Sequence, residues 1–307
     1  MAIASALQTY GDVSKREDVV LNSIEILTAV ENSVQAALGK TKAINMVHSY
    51  LVDTLLTAAS LAVQQGTDFG LSTLSTPTRL TNIVEEIAKA ILVSRPEEIV
   101  QSYSGVNEND RQLTKGLKDW GNALEFDLVR GTLASGLSGT VATFDGIING
   151  TSLANNTTAQ TSGTVFSATI LDALQQNCWN TSNGDVATDV FVGGIMRRVV
   201  DNFTQKSNVV VNTPSVMNIV RTVTSFETSM GTLQIHKHRY VQQSSDATGR
   251  VLAIRPEKIK VAYLDMPFIK QLSEAGAYSK RAIYGSCTVE FHNQNSNHFS
   301  SGYLLTA

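Results

Sequence analysis

Cysteine, charge and long apolar runs are all scarce in this chain, and each scarcity excludes a class of protein. The 307 residues include only 2 cysteines, Cys178 and Cys287. They stand far apart with no Cys-x-x-Cys pair, so there is no disulfide framework; two buried thiols in a reducing compartment fit best, with a single disulfide as the other arrangement open. Charged residues make up 17%, and 24 Lys and Arg against 27 Asp and Glu leave a net charge of -3. That balance excludes both the basic footprint of a nucleic-acid reader and a solvating acidic tail. No stretch stays apolar for the roughly 18 residues of a membrane helix. The opening MAIASALQTYGDVSKRED lacks the basic start and apolar run of a signal peptide. A soluble protein without a signal peptide is expected, long enough to bury a sizeable core.

Motifs that carry chemistry are missing as well. There is no Gly-x-Ser-x-Gly elbow, His-Glu-x-x-His helix, Gly-x-Gly-x-x-Gly fingerprint or clustered carboxylate set for magnesium. Gly39-Lys40-Thr41 resembles the end of a phosphate-binding loop, but Val34 stands where the loop's first glycine is needed. Asn149-Gly150-Thr151, Asn155-Asn156-Thr157, Asn180-Thr181-Ser182 and Asn202-Phe203-Thr204 match the glycan acceptor pattern and are discounted for want of a signal peptide. In His236-Lys237-His238 a strand would put both imidazoles on one face beside Tyr240, close enough to share a metal. No third ligand is identifiable, and solvated or interface histidines on a sheet face are the preferred reading. No catalytic residue, cofactor site or metal site is assigned.

What the chain has in quantity is uncharged polar surface, Ser, Thr, Asn and Gln, which repels neighbours little and tolerates burial against copies of itself. It also has one strong helix, Asn107 to Ser135. Leu113, Leu117, Trp120, Leu124 and Leu128 recur there at helical spacing and form one apolar face. Arg111, Lys115, Lys118, Asp119, Asn122, Asp127 and Arg130 occupy the wet faces. Asn107 can cap the start, with Glu108 and Asp110 at the positive end of the dipole and Arg130 near the negative end. Gly116, Gly121 and Gly131 each cost about 1 kcal/mol against Ala, which points to close packing against another backbone.

In chain order, residues 1 to 21 read as an extended arm, and Ser23 to Leu38 as an amphipathic helix capped by Gly39. Ile44 to Leu56 alternates as a strand, with Ile44, Met46, His48, Tyr50 and Val52 on one side. Gly66, Gly70 and Pro77 mark the loose tip of a hairpin. Ile83 to Val93 fits a helix or a strand, with periodicity leaning to helix. After the long helix, Gly136 to Gly163 is a Gly-, Thr-, Ser- and Asn-rich loop. Helices follow at Ser167 to Trp179, with Ile170, Leu171, Leu174 and Cys178 inward, and at Ile195 to Phe203. Strands are expected at Val190 to Val192, Val209 to Val211, Thr232 to Val241, Arg250 to Ile254, Ile259 to Leu264 and Ser286 to His292. In the last, Cys287, Val289 and Phe291 face one way and Ser286, Thr288, Glu290 and His292 the other. This mixture gives an α+β or α/β body.

The order of parts resembles a tailed-bacteriophage major capsid (major head) protein of the Hong Kong 97-type fold, in the branch typified by phage SU-ten. The stretches that carry the resemblance are KREDVVLNSI, GKTKAINMVHSYLVDTL, STPTRLTNIVEEIAKAILVS, GLKDWGNALEFDLVRG and KIKVAYLDMPFIKQLSEAGAYSKRAIYGSCTVEFHNQNS. The resemblance implies an α+β fold in four parts: an N-terminal arm at 1–43, an extended hairpin loop at 44–95, a peripheral domain with a long spine helix at 96–145 and 251–307, and an axial domain at 146–250. It makes Thr81 to Val93 a returning strand against its local preference, and leaves the insertion around Thr151 to Gly163 and the tail Asn293 to Ala307 as departures. It also implies a function: self-assembly into the icosahedral head shell that encloses the genome, with no enzymatic activity. The implied partners are copies of itself in hexamers and pentamers, portal, scaffold and cement proteins, and double-stranded DNA held non-specifically on the inner face, with no membrane. The implied place is the virion, after assembly in the host bacterial cytoplasm. An encapsulin-like compartment shell or another virion structural protein is the alternative, and an enzyme with a pocket in the axial-like region the remaining rival.

Overall fold

The computed structural model describes residues 33–55, 60, 62–66, 74–99, 107–136, 139–149, 157–203, 224–243, 245–274 and 276–305. The elements run α1 (Ser33–Ala37), β1 (Gly39–Lys42), β2 (Val47–Val52), β3 (Thr78–Ile83), β4 (Glu85–Ser94), α2 (Arg95–Ile99) and α3 (Glu108–Arg130). Then come β5 (Ala134–Ser135), β6 (Ala142–Thr143), β7 (Thr157–Thr164), α4 (Ala168–Thr181), β8 (Asp189–Val192) and α5 (Gly194–Asp201). The chain continues through β9 (Ser225–Thr228), β10 (Gly231–Lys237), β11 (Gly249–Ile254), β12 (Ile259–Gln271), β13 (Tyr278–Phe291) and β14 (His298–Tyr303).

The ends of α3 are set by local chemistry. Asn107 is extended, and its side-chain oxygen accepts from the Asn109 N–H at 2.9 Å, which satisfies one of the free amides of the first turn. At the other end Gly131 donates its N–H to Asp127 O at 2.7 Å. A Cβ on Gly131 would lie 2.8 Å from Phe144 O, so glycine is needed there because another backbone runs against the helix end.

Helix α3 lies on a four-stranded sheet of order β1-β12-β13-β4. On β13 the residues Ile283, Cys287, Val289 and Phe291 turn to α3 and are buried. The opposite face of β13 is covered as well: Ser286, Thr288 and Glu290 are all buried, because the ribbon formed by β2 and β3 folds back over them. An alternating strand normally has one wet face. Here the polar face of β13 is dry.

A six-stranded sheet of order β7-β14-β11-β8-β10-β9 forms the second layer. Its central strands β8 and β11 are buried on both faces. Val190, Val192, Val251 and Ala253 pack under α4 and α5 with Leu171, Leu174, Cys178, Met196 and Val200. Phe191, Leu252 and Ile254 turn the other way into the core that contains α3. The C-terminal strand β14 and the strand β11 both lie in this sheet, so the expected peripheral range 251–307 contributes strands to both sheets, and its boundary at 250 falls inside β11.

Several expectations shift for stated reasons. The ambiguous segment is extended, but as two strands: β3 pairs with β2, whereas β4 pairs with β13 from Glu85↔Cys287 to Ser94↔Tyr278. Ile87 and Ile91 are four apart, a spacing that keeps one face in either periodicity, so only the pairing decides. The expected hairpin range 44–95 therefore includes a strand, β4, that belongs to the four-stranded sheet. Gly39 opens β1, parallel to β12, instead of ending a helix. The strand β2 begins only at Val47, so Ile44 and Met46 precede it and are exposed, while His48 on the strand is buried. The loop from Gly136 to Gly163 contains β6 and most of β7. The arm at 1–21, the first turns of the expected helix at 23–32 and the strand Val209 to Val211 lie outside the described residues.

Candidate assembly surface

The spine face is built at the contact of α3 with β4 and β13. Trp120 is buried and donates its indole N–H to Ile87 O at 2.9 Å, which fixes the ring across the β4 edge. Gly285 makes room for it: a Cβ there would fall 2.8 Å from Trp120 Cζ2. Leu124 and Leu128 are fully buried, and Leu113 is partly buried against the same core. Leu117 departs from the expectation, being 44% exposed. At that turn the residue against the sheet is Gly116, whose absent Cβ would lie 2.8 Å from Ile91 Cδ1 and 2.9 Å from Ile283 Cδ1. Isoleucines on the sheet fill the space, and the leucine is left at the rim.

One residue that spacing does not single out ties three segments together. Glu125 of α3 is fully buried, and its carboxylate accepts from the Val34 and Gln35 N–H groups, each at 2.8 Å. These are free amides at the start of α1, where a negative charge also meets the positive end of the helix. The same carboxylate takes a hydrogen bond from His238 Nε2 at 2.8 Å. His238 Nδ1 accepts from the Tyr240 and Val241 N–H groups at 3.2 and 3.3 Å, so the ring proton sits on Nε2 and points at Glu125. Its partners lie far away in sequence, and no local pattern announces them.

The paired histidines are therefore separate. His236 Nε2 meets Asp189 Oδ1 at 2.8 Å, and its ring stacks on Phe191, which stands between it and His238. Both nitrogens of His238 are engaged, and no group of three or more His, Cys, Asp or Glu among the described residues is placed to hold a metal. Arg130 likewise bonds inward, to the Tyr240 and Val241 carbonyls and to Asp246. Asp127, expected on a wet face, is half-buried with its carboxyl bonded to Glu85.

The β2–β3 ribbon is the opposite kind of surface. Its strands pair in register from Val47↔Ile83 to Val52↔Thr78. Its root is fixed by His48 Nε2 on Glu290 Oε1 at 2.5 Å and by Asn82 Nδ2 donating to Val289 O at 3.0 Å. It carries exposed apolar side chains: Ile44 and Val47 at the root, Leu51 further out, then Leu55 at 91%, Val63 and Leu74 at 83%. Of the expected tip residues, Gly66 lies at φ +82°, in the left-handed region that favours glycine, and Pro77 is exposed just before β3. Gly70 lies outside the described residues. No helix among the described residues is long and apolar enough to cross a membrane.

The whole arrangement recurs in solved structures. A protein of Mycobacterium phage Bobi superposes with a TM-score of 0.65 at 12% identity, over 96% of this chain and 98% of that one. The capsid of Myoviridae phage XM1 gives 0.62 at 13% identity, over 93% and 96% of the two chains. The holo-SrpI encapsulin complex from Synechococcus elongatus gives 0.63 at 9% identity, over 98% of each. These likenesses establish the Hong Kong 97-type fold. No functionally curated protein sequence matches the chain. The profile of the SU10 major capsid protein family matches residues 6–301, nearly the full length, and the chain belongs to that family.

Proposed function

We propose that this chain is the shell subunit of the icosahedral head of a tailed double-stranded DNA bacteriophage, assembling as hexamers and pentamers around the genome. The observation that carries this is the family match over residues 6–301, joined to a ribbon whose exposed apolar side chains have no use in a lone subunit. Each subunit lays that ribbon over a neighbour. Many weak, largely uncharged contacts then add up to a closed shell. The division is an arm at 1–43, a hairpin loop at 44–95, a peripheral part at 96–145 and 251–307, and an axial part at 146–250. Helix α3 is the peripheral spine. The subunit works with portal, scaffold and cement proteins, is assembled in the host bacterial cytoplasm and catalyses no reaction. A net charge of -3 suits a lining that touches packaged DNA without gripping it.

The encapsulin likeness supports a second reading, a compartment shell of the same fold. Expression of the full chain alone and with its neighbouring genes, followed by negative-stain microscopy, separates the two. Closed shells that need scaffold or portal genes support the phage head; shells that fill with a neighbouring enzyme support the compartment; monomers under every condition sink both. Deleting residues 61–76 at the ribbon tip should leave a folded subunit that cannot close shells, and normal particles from that deletion would remove the ribbon from assembly.

A further inference from the structure

On its β3 side the ribbon joins the body through a single residue, Val84, while on its β2 side it runs back through residues 43–46 into β1. β3 ends at Ile83 and β4 begins at Glu85, so whatever holds Glu85 also holds the root of the ribbon. Glu85 is 7% exposed and sits opposite the buried Cys287 of β13. Its carboxyl is hydrogen-bonded to that of Asp127 on α3, and Phe144 N–H donates to its Oε2 at 3.4 Å. A hydrogen bond between two carboxyls requires a proton on one of them. Among the described residues neither carboxyl has an ion-pair partner. The titratable side chains turned to the pair from the sheet are Cys287 of β13 and, beside it, Tyr263 of β12. On the other face of β13 the root is held by His48 on Glu290, with His292 Nε2 on the second Glu290 oxygen at 3.0 Å.

We propose that the proton shared by Glu85 and Asp127 is a latch, which fixes the start of β4 to α3 and releases the root of the β2–β3 ribbon when it leaves. Without it two carboxylates face each other in a largely buried site, Glu85 buried and Asp127 half-buried, where their repulsion is poorly screened. Burial first, and then the negative field of Asp127, push the Glu85 carboxyl up to about 7 from its ordinary value near 4.5. Burial also raises Asp127. The sign follows: between about 4.5 and 7 the latched state holds a proton that the released state does not, so the latch weakens as pH rises through that window and levels off above it.

The test is hydrogen exchange on the full-length chain as isolated subunits, with protection factors corrected for the intrinsic pH dependence of exchange. Amides at Asn82 to Ile87 should lose protection by at least about tenfold between pH 5 and 7.5. Glu85→Gln keeps the shape and donor of the protonated acid, so it should hold the pH 5 level of protection at both pH values; Asp127→Asn should flatten the profile in the same way. A flat wild-type profile overturns the latch. So does a pH dependence that survives in both variants, which would assign it to His48, Glu290 and His292, and so does failure of both variants to fold.

Discussion

Glu125 and His238, 113 residues apart in sequence, meet at 2.8 Å with neither side chain exposed to solvent. Glu125→Ala would strand the His238 proton together with the Val34 and Gln35 amides. Losing one partner of such a buried cluster costs about 3–5 kcal/mol. Urea unfolding of Glu125→Ala should show a loss of that size, and Glu125→Gln, which keeps an acceptor oxygen, a smaller one. Equal stability of Glu125→Ala and wild type would mean that α1 is not fastened through α3.

Gly116 and Gly131 should respond differently to the same change. At Gly116 a new Cβ meets the far ends of Ile91 and Ile283, which can move, and Ala recovers about 1 kcal/mol of helix propensity. Gly116→Ala should fall within about 1 kcal/mol of wild type. At Gly131 the Cβ meets the Asp127 and Phe144 carbonyl oxygens at 2.6 and 2.8 Å. Those are backbone atoms, so Gly131→Ala should destabilise by about 2 kcal/mol or more, read by thermal unfolding.

Trp120 and Leu117 separate folding from surface. Trp120→Asp removes the ring from under Gly285, loses the bond to Ile87 O and buries a charge, so it should abolish folding. Leu117→Ser changes a side chain at the rim and should alter subunit stability by no more than about 0.5 kcal/mol. A folded Trp120→Asp subunit, seen by circular dichroism, would take α3 out of its central role.

His298 gives acid sensitivity to the six-stranded sheet. It is 1% exposed, with Nδ1 near Asn177 Nδ2 at 3.3 Å, and burial pushes its imidazole down to about 4 from 6.5. Between those values the unfolded chain binds a proton that the folded one refuses, so stability falls as pH drops from 6.5 to 4. The loss approaches roughly 3 kcal/mol by pH 4. Denaturant titrations at several pH values should show that slope, and His298→Asn should reduce it relative to wild type.

By itself the sequence determined the elements whose signals are local. Helix α3 has its cap, its charges and its 3.6-residue period within one stretch, and it starts at the marked cap Asn107. It stops at Arg130 with Gly131 as its C-cap, short of the expected Ser135, which lies in β5. Helices α4 and α5, strands β8 and β11 and the second half of β13, from Ser286, were legible for the same reason. The tertiary structure alone decided the choices in which local physics is balanced or silent. Ile87 and Ile91 suit a helix or a strand until β13 supplies ten residues of partner. Leu117 has the right angle on α3 and is left at the rim because Ile91 and Ile283 have filled the space at Gly116. Glu125, Glu85 and Asp127 look like solvated carboxyls in sequence. They become fasteners only because the amides of α1, the ring of His238 and the root of the ribbon arrive from distant stretches, and burial makes each hydrogen bond there costly to lose.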